Sequence, residues 1–444
     1  MNSITISDLM NGPWKERAIY TCEERAIPHF LDGLKPVQRF LLYSGYKNAY
    51  KNYDKVASIA SVVAKFGYHH GEASASGALT CMGAYFSNNL PLFDGDGNFG
   101  NLLDNSPAAP RYIFAKLAPY IDDLYTDNEL LEKNPDEDIK TPLHYLPIIP
   151  MVLVNGVKGI ATGYATDIPP HDPIDIIQIL EDMTKGKPSR KPKPKYYSFN
   201  GNVKIYDDHY EITGLYEQVS STKIKVTELP RSYNASTYET ILKKLVEKGT
   251  IVSYEDSSRN DKYNFLITLK RGTNWDHDTI IKNLKLMTTH TWNLTTVGMS
   301  GKIKEWDSVT DIIDEFYKIR LGFIAKRISM KVEEYELQYN YYFHLLQFVN
   351  DVVNGKLILR GIDEDTLSNI ILNDYKIPSE YLQKTLDTPV RNFTNNMIDK
   401  LKLKIDESKK ELQYYKNTNP ETEYFKNLET LKKSILKYYK ELEQ

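Results

Sequence analysis

The sequence predicts a multidomain α+β protein that contains a long antiparallel coiled coil. Its 444 residues correspond to about three domains at roughly 150 residues each. Short β-branched segments alternate with helical patterns in the first two thirds of the chain, whereas two later segments carry uninterrupted helical periodicity. A compact insert separates these two segments, as in a helical hairpin with a globular tip. A helical domain with no special role fits the same pattern equally well.

The composition is that of an ordinary folded protein, with 41% hydrophobic and 26% charged residues. No run approaches the roughly 20 apolar residues that a membrane span needs. The N-terminus lacks the basic start and the apolar block of a signal peptide. Cys22 and Cys81 are too few for a disulfide framework and are not spaced as a zinc site. We therefore expect a cytoplasmic protein with reduced cysteines and no membrane contact.

The net charge of -3 argues against a protein that holds nucleic acid by bulk charge. If DNA binds, folding must concentrate the positive charge locally. The candidates for such a patch are Lys35, Arg39, Lys47, Lys51, Lys55, Lys65 and Arg111.

The N-terminal region, from about Lys15 to Val63, places apolar residues at helical spacing. Pro28 and the pairs Asp32-Gly33 and Lys35-Pro36 interrupt the pattern, because Pro fixes φ and Gly admits positive φ. Short helices joined by tight turns are compatible with a helix-turn-helix DNA reader. Small helical bundles of other function are more numerous and remain the alternative.

A loop rich in Gly, Asp, Asn and Pro spans residues 91 to 112 and ends on the pair Arg111-Tyr112. The loop runs into an apolar segment, so it delivers this pair to the start of a regular element. Residues 146 to 170 then alternate β-branched residues with Gly, which predicts strands and hairpins. The Asn155-Gly156 pair marks the first tight turn.

The stretch KGKPSRKPKPK, residues 185 to 195, is basic and punctuated by Pro, so it cannot form a helix or a central strand. A solvated connector is the favoured interpretation, and a DNA contact is the alternative. Residues 196 to 300 mix short strands with a helix near Thr237 to Glu247. This pattern predicts a second, α+β domain.

The first long helix is predicted from Val309 to about Val353, where apolar residues fall three or four apart and no Pro intervenes. The second keeps a seven-residue repeat, apart from Ser408. The compact insert between them spans Gly355 to Arg391. The repeat positions of the second helix are Ile398, Leu401, Ile405, Leu412 and Tyr415.

Several metal and nucleotide motifs can be set aside. DGDGNFG opens like a calcium loop at Asp94, but Phe99 stands where Gly is needed and Asn105 where a bidentate Glu is needed. The Asp136-Glu137-Asp138 triplet lies in a polar loop without a partner Glu at a strand end. No phosphate-binding glycine loop or dinucleotide fingerprint occurs. We expect no metal site and no ATP site on this chain.

A dispersed set of side chains could act on a phosphate: Arg39, His69-His70 and Arg111-Tyr112. Arg offers a planar fork of donors that matches phosphate oxygens, and His can donate or move a proton near neutral pH. Tyr supplies an oxygen nucleophile. Phosphoryl transfer needs little more from a protein than positioning and charge neutralisation, usually with a divalent metal. Residue chemistry alone does not select Tyr112 from the 33 tyrosines.

Six ordered sequence blocks resemble the breakage-reunion subunits of type II DNA topoisomerases. The length and the YHHGE form are similar to the medium subunits of T-even-type bacteriophage enzymes, and the similarity to gyrase A subunits and to the C-terminal half of eukaryotic topoisomerase II is more distant. The blocks are DGLKPVQRFLLY (Asp32 to Tyr43), YHHGEAS (Tyr68 to Ser74), DGDGNFG (Asp94 to Gly100), AAPRYIFAKL (Ala108 to Leu117), VNGVKGIATGYATDIPPH (Val154 to His171) and TELPRSY (Thr227 to Tyr233).

This resemblance implies that Tyr112 attacks a backbone phosphorus and forms a 5′-phosphotyrosyl link with a free 3′-hydroxyl. Arg111 matches the residue that clamps the scissile phosphate, and Arg39 matches the arginine that supports the transition state. His70 matches a phosphate-binding histidine, with His69 beside it.

The resemblance also implies a set of DNA contacts. Ile168, in the DIPPH segment, is matched to the apolar wedge that enters the base stack and bends the cleaved DNA, at a cost in unstacking energy. Lys35, Lys65 and His69 are the further expected DNA-binding residues.

The implied architecture has three domains. Residues 1 to 165 would form a winged-helix DNA cleavage domain, residues 166 to 305 an α/β tower domain, and residues 306 to 444 a long antiparallel coiled coil with a C-terminal exit gate. Two copies would pair through this gate on double-stranded DNA. Partner subunits would supply the ATPase and toprim domains, and with them ATP and Mg2+.

The expected activity is relaxation and decatenation of DNA, because no DNA-wrapping domain like that of gyrase A follows the second long helix. Two interpretations from other classes remain at this point. The chain could be a non-catalytic DNA-organising coiled-coil protein, or a partner-binding scaffold without DNA contact.

Overall fold

A computed structural model describes residues 5–206, 209–389 and 393–442. The chain divides into two compact units, Met1–Lys318 together with Asn427–Gln444, and Ile319–Lys426. Within the described ranges, no helix is both long enough and apolar enough to cross a membrane. The mixed α and β content agrees with the predicted fold class.

The first unit begins with two short helices, α1 (Ile6–Leu9) and α2 (Lys15–Thr21), which wider π-helical turns connect and extend to Ala26. A helix and strand series follows: α3 (Pro36–Asn48), β1 (Asp54–Lys55), α4 (Val56–Ser61), α5 (Glu72–Gly83), β2 (Phe93–Asp96) and β3 (Phe114–Leu117). The three strands form an antiparallel sheet in the order β1-β3-β2.

Helix α3 starts where the sequence places Pro36, which stands at its first turn. The Lys35 backbone N–H donates to the Gln38 side chain at 2.8 Å and closes the N-terminus. Gly45 lets the helix approach the sheet closely, because an added Cβ would lie 2.6 Å from a Leu117 methyl carbon. The three helices and the small sheet therefore share one core, which includes Leu41, Ile59 and Leu79.

The segment after the sheet contains α6 (Ile121–Leu124), α7 (Met151–Val154), the hairpin β4 (Val157–Ile160) and β5 (Ala165–Ile168), and α8 (Pro173–Thr184). The expected strand character of the residues before Asn155 is wrong, because Met151–Val154 forms a helical turn after Pro150. Gly156, at φ +66°, ends this turn and confirms the predicted reversal. In the hairpin, Val157 pairs with Ile168 and Ile160 with Ala165.

The basic stretch 185 to 195 contains no helix or strand, as predicted. Its cations pair with acidic side chains of α8 and its N-cap. Lys187 lies 3.0 Å from Asp182, Lys195 lies 2.6 Å from Asp172, and Arg190 holds Asp175 with both terminal nitrogens. These ion pairs support a connector that is fastened to α8.

The elements of the predicted second α+β region are β6 (Asn202–Ile205), β7 (His209–Thr213), β8 (Leu215–Ser220), β9 (Lys223–Glu228), α9 (Ala235–Glu247), β10 (Ser253–Asp256), β11 (Phe265–Thr268), α10 (His277–Asn283), β12 (Met287–Thr291), β13 (Thr295–Val297) and β14 (Ile303–Glu305). The strands form two antiparallel sheets, in the orders β10-β11-β9-β8 and β12-β7-β6, and the pair β13-β14. Helix α9 starts after Asn234, whose side chain accepts from the Thr237 N–H at 2.8 Å. We call the apolar core of the four-stranded sheet with α9 and α10, which includes Leu242 and Phe265, the tower core, after the tower domain that the resemblance implies for this region.

The first long helix, α11, spans Val309–Val353 and has the predicted bounds. In the second unit it is followed by α12 (Glu364–Asn369), α13 (Leu382–Leu386), α14 (Asn395–Asn417) and the first turns of α15 (Pro420–Leu442). The insert is helical and packs on the end of α11; Arg391, its predicted end, lies outside the described residues.

Helices α11 and α14 run antiparallel within the second unit. Tyr335 stacks on Tyr415 with ring centroids 5.6 Å apart, while the Lys404 ammonium lies 5.2 Å from the ring centroid of Tyr342. Residue numbers therefore rise along one helix in the direction in which they fall along the other, as antiparallel helices require. Ser408, the polar exception in the repeat, is buried at 4% exposure, so the repeat position was placed correctly although its residue is polar.

The end of α15 differs from the expected domain division. Residues from Asn427 onward belong to the first unit, where Lys432 bonds Glu181 at 3.2 Å and the Tyr439 hydroxyl donates to the Asn89 carbonyl at 2.9 Å. The physical reason is an apolar stripe at spacings of three and four residues that needs a partner surface. The buried members of this stripe are Leu428, Leu431, Ile435 and Tyr438.

Candidate active site

The Arg111-Tyr112 pair lies at the end of the long loop between β2 and β3, as the sequence predicted. The predicted start of this loop at residue 91 is wrong, because Phe93–Asp96 pairs with β3 and forms strand β2. The Tyr112 N–H donates to the Ala109 carbonyl at 2.9 Å and closes a tight turn. Two backbone N–H groups at the start of α4 hold this turn in place. Val56 donates to the Ile113 carbonyl at 3.0 Å, and Ala57 donates to the Pro110 carbonyl at 3.1 Å. The backbone around Tyr112 is therefore fixed although its side chain is not.

Tyr112 is the most exposed of the 33 tyrosines, all of which lie in the described ranges, with 70% of its side chain accessible. No hydrogen-bond partner for its hydroxyl occurs among the described residues. Most other tyrosines are buried or bonded; Tyr53, for example, donates to Asp94 at 2.6 Å. A nucleophile must reach its target atom, and Tyr112 meets that requirement without breaking a contact.

Arg111 is also exposed, and its guanidinium carbon lies 5.8 Å from the centroid of the Tyr112 ring. This distance is within the range of a cation–π contact. The guanidinium makes no ion pair with a described residue, so its donors are available to an anion. Arg111 and Tyr112 can therefore interact with the same phosphate group.

Arg39 lies on α3 and is held by Asp32. Its Nε donates to Asp32 Oδ2 at 2.7 Å, and its Nη2 donates to Asp32 Oδ1 at 3.4 Å and to the Leu34 carbonyl at 3.1 Å. Burial raises the pKa of Asp32, but the charge of Arg39 and its hydrogen bond outweigh burial and keep that pKa below its usual value. Arg39 is thus orientated before any ligand binds.

His70 stands just before α5, and both of its ring nitrogens are engaged. The Arg25 guanidinium lies 3.0 Å from Nδ1 and the Tyr20 hydroxyl lies 3.2 Å from Nε2. Because Arg can only donate, Nδ1 must accept, which leaves the ring proton on Nε2. His70 can offer that proton to a phosphate only if Tyr20, which is exposed, gives it up.

Ile168 does not fit the wedge role that the resemblance implied for it. Its side chain is only 2% exposed, because its position in β5 turns it into the core opposite Val157. Ile160, at the end of β4 in the same hairpin, is 80% exposed. The hairpin therefore does present an apolar side chain, but it is Ile160 and not Ile168.

The side chains of the other expected DNA-binding residues differ in whether they are bonded within the protein or exposed to solvent. Lys35 donates from Nζ to the Lys158 carbonyl at 3.0 Å, and burial lowers its pKa. Lys65 and His69 are exposed. Lys35 therefore joins α3 to the hairpin, whereas Lys65 and His69 face solvent.

Arg111 and Tyr112 contact each other, whereas Arg39 and His70 have other partners. Among the described residues, no hydrogen bond or ring contact joins the Arg111-Tyr112 pair to Arg39 or to His70. Sequence reasoning missed Arg25, which binds His70, and it missed Ile160. The signal for Ile160 was an apolar residue on the polar side of a strand that alternates. No group of three or more His, Cys, Asp or Glu side chains that could hold a metal occurs in the described ranges.

Comparisons with known proteins extend over nearly the whole chain. The family model of the DNA gyrase/topoisomerase IV A subunit matches residues 25–432. The DNA topoisomerase medium subunit of Enterobacteria phage T4 is 35% identical over 442 residues, which cover 97% of this chain and 100% of that protein. The mitochondrial DNA topoisomerase 2 of Dictyostelium discoideum is 31% identical over 100% of this chain, which spans 36% of that longer protein.

A solved structure has the same fold. The crystal structure of the Plasmodium falciparum topoisomerase II DNA-binding, cleavage and re-ligation domain matches with a TM-score of 0.87 and 27% sequence identity. The match covers 98% of this chain and 65% of the Plasmodium chain. The loop, the sheet and the helices that carry the candidate residues all lie within residues 25–432, which the family model matches.

Proposed function

Since this chain belongs to the type II topoisomerase family of DNA gyrase and topoisomerase IV A subunits, we propose that Tyr112 is the nucleophile with which it cuts DNA. The family assigns the activity, which is the cleavage and rejoining of DNA by a type II DNA topoisomerase, an isomerase. The choice of Tyr112 as the nucleophile rests on the exposure of its side chain. It is the one tyrosine with 70% of its side chain free on a backbone turn fastened to a helix.

The chemistry conserves the energy of the broken bond. The Tyr112 hydroxyl oxygen loses its proton and attacks the phosphorus, the bond from phosphorus to the 3′-oxygen breaks, and that oxygen takes a proton. The product is a 5′-phosphotyrosyl ester with a free 3′-hydroxyl, and reversal reseals the strand without a nucleotide. Arg111 neutralises charge on the non-bridging oxygens.

Arg39 and His70 act on the same reaction in this proposal. Arg39 keeps its Nη1 group free of described partners while Asp32 holds the rest of the guanidinium, which suits a preorganised donor. His70 contributes the proton on Nε2 once Tyr20 has moved. Because neither residue contacts Tyr112 within one chain, DNA or a second copy must complete the assembly.

We infer that residues from α3 to β3 form a winged helix. The order helix, strand, two helices and two strands supports this, as does the sheet order β1-β3-β2. Helix α5 would enter a DNA groove, and its exposed face carries small side chains that permit close approach: Ala73, Ser74, Gly77 and Cys81. The wing is then the loop that bears Tyr112.

The wedge function is assigned here to Ile160. An exposed isoleucine at the end of a two-stranded hairpin can enter a base step, where unstacking costs a few kcal/mol and is offset by extra protein contact on bent DNA. Its neighbour Gly159 fits the close packing of this hairpin on the N-terminal segment, because an added Cβ would collide with the Ala26 carbonyl.

The remaining architecture follows the family. The α+β region with the tower core is proposed as the tower domain, and α11 with α14 as an antiparallel coiled coil that leads to an exit gate. Two copies would pair through that gate and place one tyrosine on each strand of double-stranded DNA. Partner subunits would hold Mg2+ and ATP, and the expected reactions are relaxation and decatenation in the cytoplasm of the host cell.

The test is the covalent adduct. The chain is incubated with its partner subunit, Mg2+ and labelled plasmid, and the reaction is stopped with detergent. The label retained on protein is then measured, and its release by protease confirms that it was attached to protein. Tyr112→Phe should retain none. Tyr206→Phe, which removes a hydroxyl that is exposed but lies in the proposed tower, should retain as much label as the wild type.

Two further variants test the supporting roles. Arg111→Ala and Arg39→Ala should reduce adduct formation while DNA binding, measured by a filter or gel assay without Mg2+, persists. Equal label in the wild type and in Tyr112→Phe would overturn the assignment. Absence of label in both would overturn the cleavage function for this chain and would leave a DNA-organising role.

A further inference from the structure

The loop that bears Tyr112 has a second anchor in the tower core. Leu102 and Leu103, at the far tip of this loop, pack against the core side chains of that region. The Tyr263 hydroxyl donates to the Leu102 carbonyl at 2.7 Å, and the Ala235 N–H donates to the Leu103 carbonyl at 3.1 Å. We call these four residues the latch.

The loop between the latch and the nucleophile is stiffened by its own hydrogen bonds. The Asn101 side chain accepts from the N–H groups of Leu103 and Asp104 at 2.9 and 2.8 Å, which closes the tip. Further along, the Ala108 N–H donates to the Asn98 carbonyl at 2.9 Å and ties the two limbs of the loop together. A displacement of the tip is therefore passed to the turn that ends at Tyr112.

Gly100 makes this compact path possible. It has φ +87°, a region that favours glycine, and an added Cβ would lie 2.7 Å from the Asn105 carbonyl oxygen. The returning limb thus runs in van der Waals contact with the outgoing limb. At its other end the loop is fastened to the start of α4 through the Pro110 and Ile113 carbonyls.

From this arrangement we infer that the latch positions the nucleophile: the tower core, through Leu102 and Leu103, sets where Tyr112 stands. The inference rests on the proposed role of Tyr112. Tyr263 and Leu103 do not touch substrate and are positioning residues. A shift of about 1 Å in a reacting group can cost about a hundredfold in rate, so loss of the latch lowers the rate of the chemical step more than the affinity for DNA.

The experiment uses the full chain with its partner subunit, Mg2+ and a short labelled duplex at saturating concentration. The first-order rate of adduct formation is measured in a single turnover, and the DNA dissociation constant is measured separately. Tyr263→Phe, which removes only the latch hydroxyl, and Leu103→Ala should each lower the rate about tenfold. The dissociation constant should change less than about twofold.

Tyr254→Phe is the matched control, because it removes a tower hydroxyl that bonds Glu239 at 3.1 Å and does not reach the loop. It should keep the wild-type rate. A thermal unfolding midpoint near that of the wild type shows that the variants are folded at the assay temperature.

Wild-type rates in both latch variants would overturn the inference, as would a fall in rate that only follows weaker DNA binding. A rate loss in Tyr254→Phe equal to that in Tyr263→Phe would also overturn it, because a general loosening of the tower would then explain both. If the wild type itself forms no adduct, the proposed role of Tyr112 fails first and the inference falls with it.

Discussion

Asp32 holds Arg39 with both carboxylate oxygens, and it does so from a fully buried position. The same carboxylate also accepts from the Leu34 N–H at 2.9 Å and the Tyr145 N–H at 3.1 Å. Asp32 is 0% exposed and the Arg39 side chain is 13% exposed. The pair thus joins the start of α3 to a segment more than a hundred residues later in the chain.

We expect Asp32→Asn to destabilise the first unit by about 3 kcal/mol, because removing one partner leaves the other charge buried and unpaired. Adduct formation should fall as well, since the Arg39 guanidinium loses its orientation. Urea unfolding of the purified chain measures the first effect. Asp94→Asn, which removes a half-exposed partner of Lys116, should cost less than about 1 kcal/mol, and a similar loss in both variants would contradict the argument.

Alanine substitutions of the two isoleucines in the hairpin should have different effects, one on stability and the other on DNA bending. Ile168→Ala removes a buried side chain and should cost about 3 kcal/mol of stability. Ile160→Ala changes an exposed side chain, so stability should hold while the bend of bound DNA decreases. Fluorescence energy transfer between dyes on the two DNA ends measures the bend. The wedge assignment would be lost if Ile160→Ala bent DNA as the wild type does.

Gly159 and Gly77 should respond oppositely to alanine. At Gly159 the new Cβ would collide with the Ala26 carbonyl, so we expect a loss of about 2 kcal/mol from overpacking. At Gly77, inside α5, no atom lies within 4 Å of the new Cβ, and the better helix propensity of alanine should add about 0.5–1 kcal/mol. Thermal unfolding measures whether Gly159→Ala is less stable and Gly77→Ala more stable than the wild type. Stabilisation by Gly159→Ala would refute the close packing.

Stability should fall when the pH is lowered below about 6.5, in part because of His171. This ring is fully buried, with Nδ1 3.0 Å from the Leu153 carbonyl, and burial lowers its pKa to about 4. The unfolded chain therefore takes up the proton first. The contribution of His171 is complete above the unfolded pKa and is lost as the pH falls toward 4, a change of about 3 kcal/mol.

His171→Asn provides the comparison, since its amide can keep the donor to Leu153 but does not titrate in this range. The free energy of unfolding, measured by urea titration from pH 7.5 to 5, should decline less steeply in this variant. Parallel curves for the two proteins would show that another group governs the pH dependence. Buried His29, whose pKa is also about 4, should contribute the slope that remains.

Local patterns in the sequence predicted local structure well. The bounds of α11 follow from apolar residues three and four apart without Pro, and the loop before Tyr112 follows from its Gly, Asp and Pro content. The candidate wedge was placed at Ile168, which is buried, and not at the exposed Ile160 of the same hairpin, because only the strand register tells which side faces the core. Strand register depends on pairing, which a single sequence does not display.

Contacts between distant parts of the chain could not be predicted in the same way. The packing of Leu102 and Leu103 in the tower core depends on residues that follow more than a hundred positions later. The same holds for Tyr145 as a donor to Asp32. Tyr112 itself was selected by resemblance, and its exposure became visible only when the surroundings of all tyrosines were known.

The return of α15 to the first unit has a consequence for biosynthesis. Domains generally fold as units while the chain emerges from the ribosome, but this unit is built from two stretches separated by residues 319–426. Leu431 and Ile435, buried in the finished protein, are translated only after the entire second unit. Until then, the apolar surface of the first unit that these residues cover stays exposed on the nascent chain. A chaperone that recognises exposed apolar surface can bind the chain during this interval.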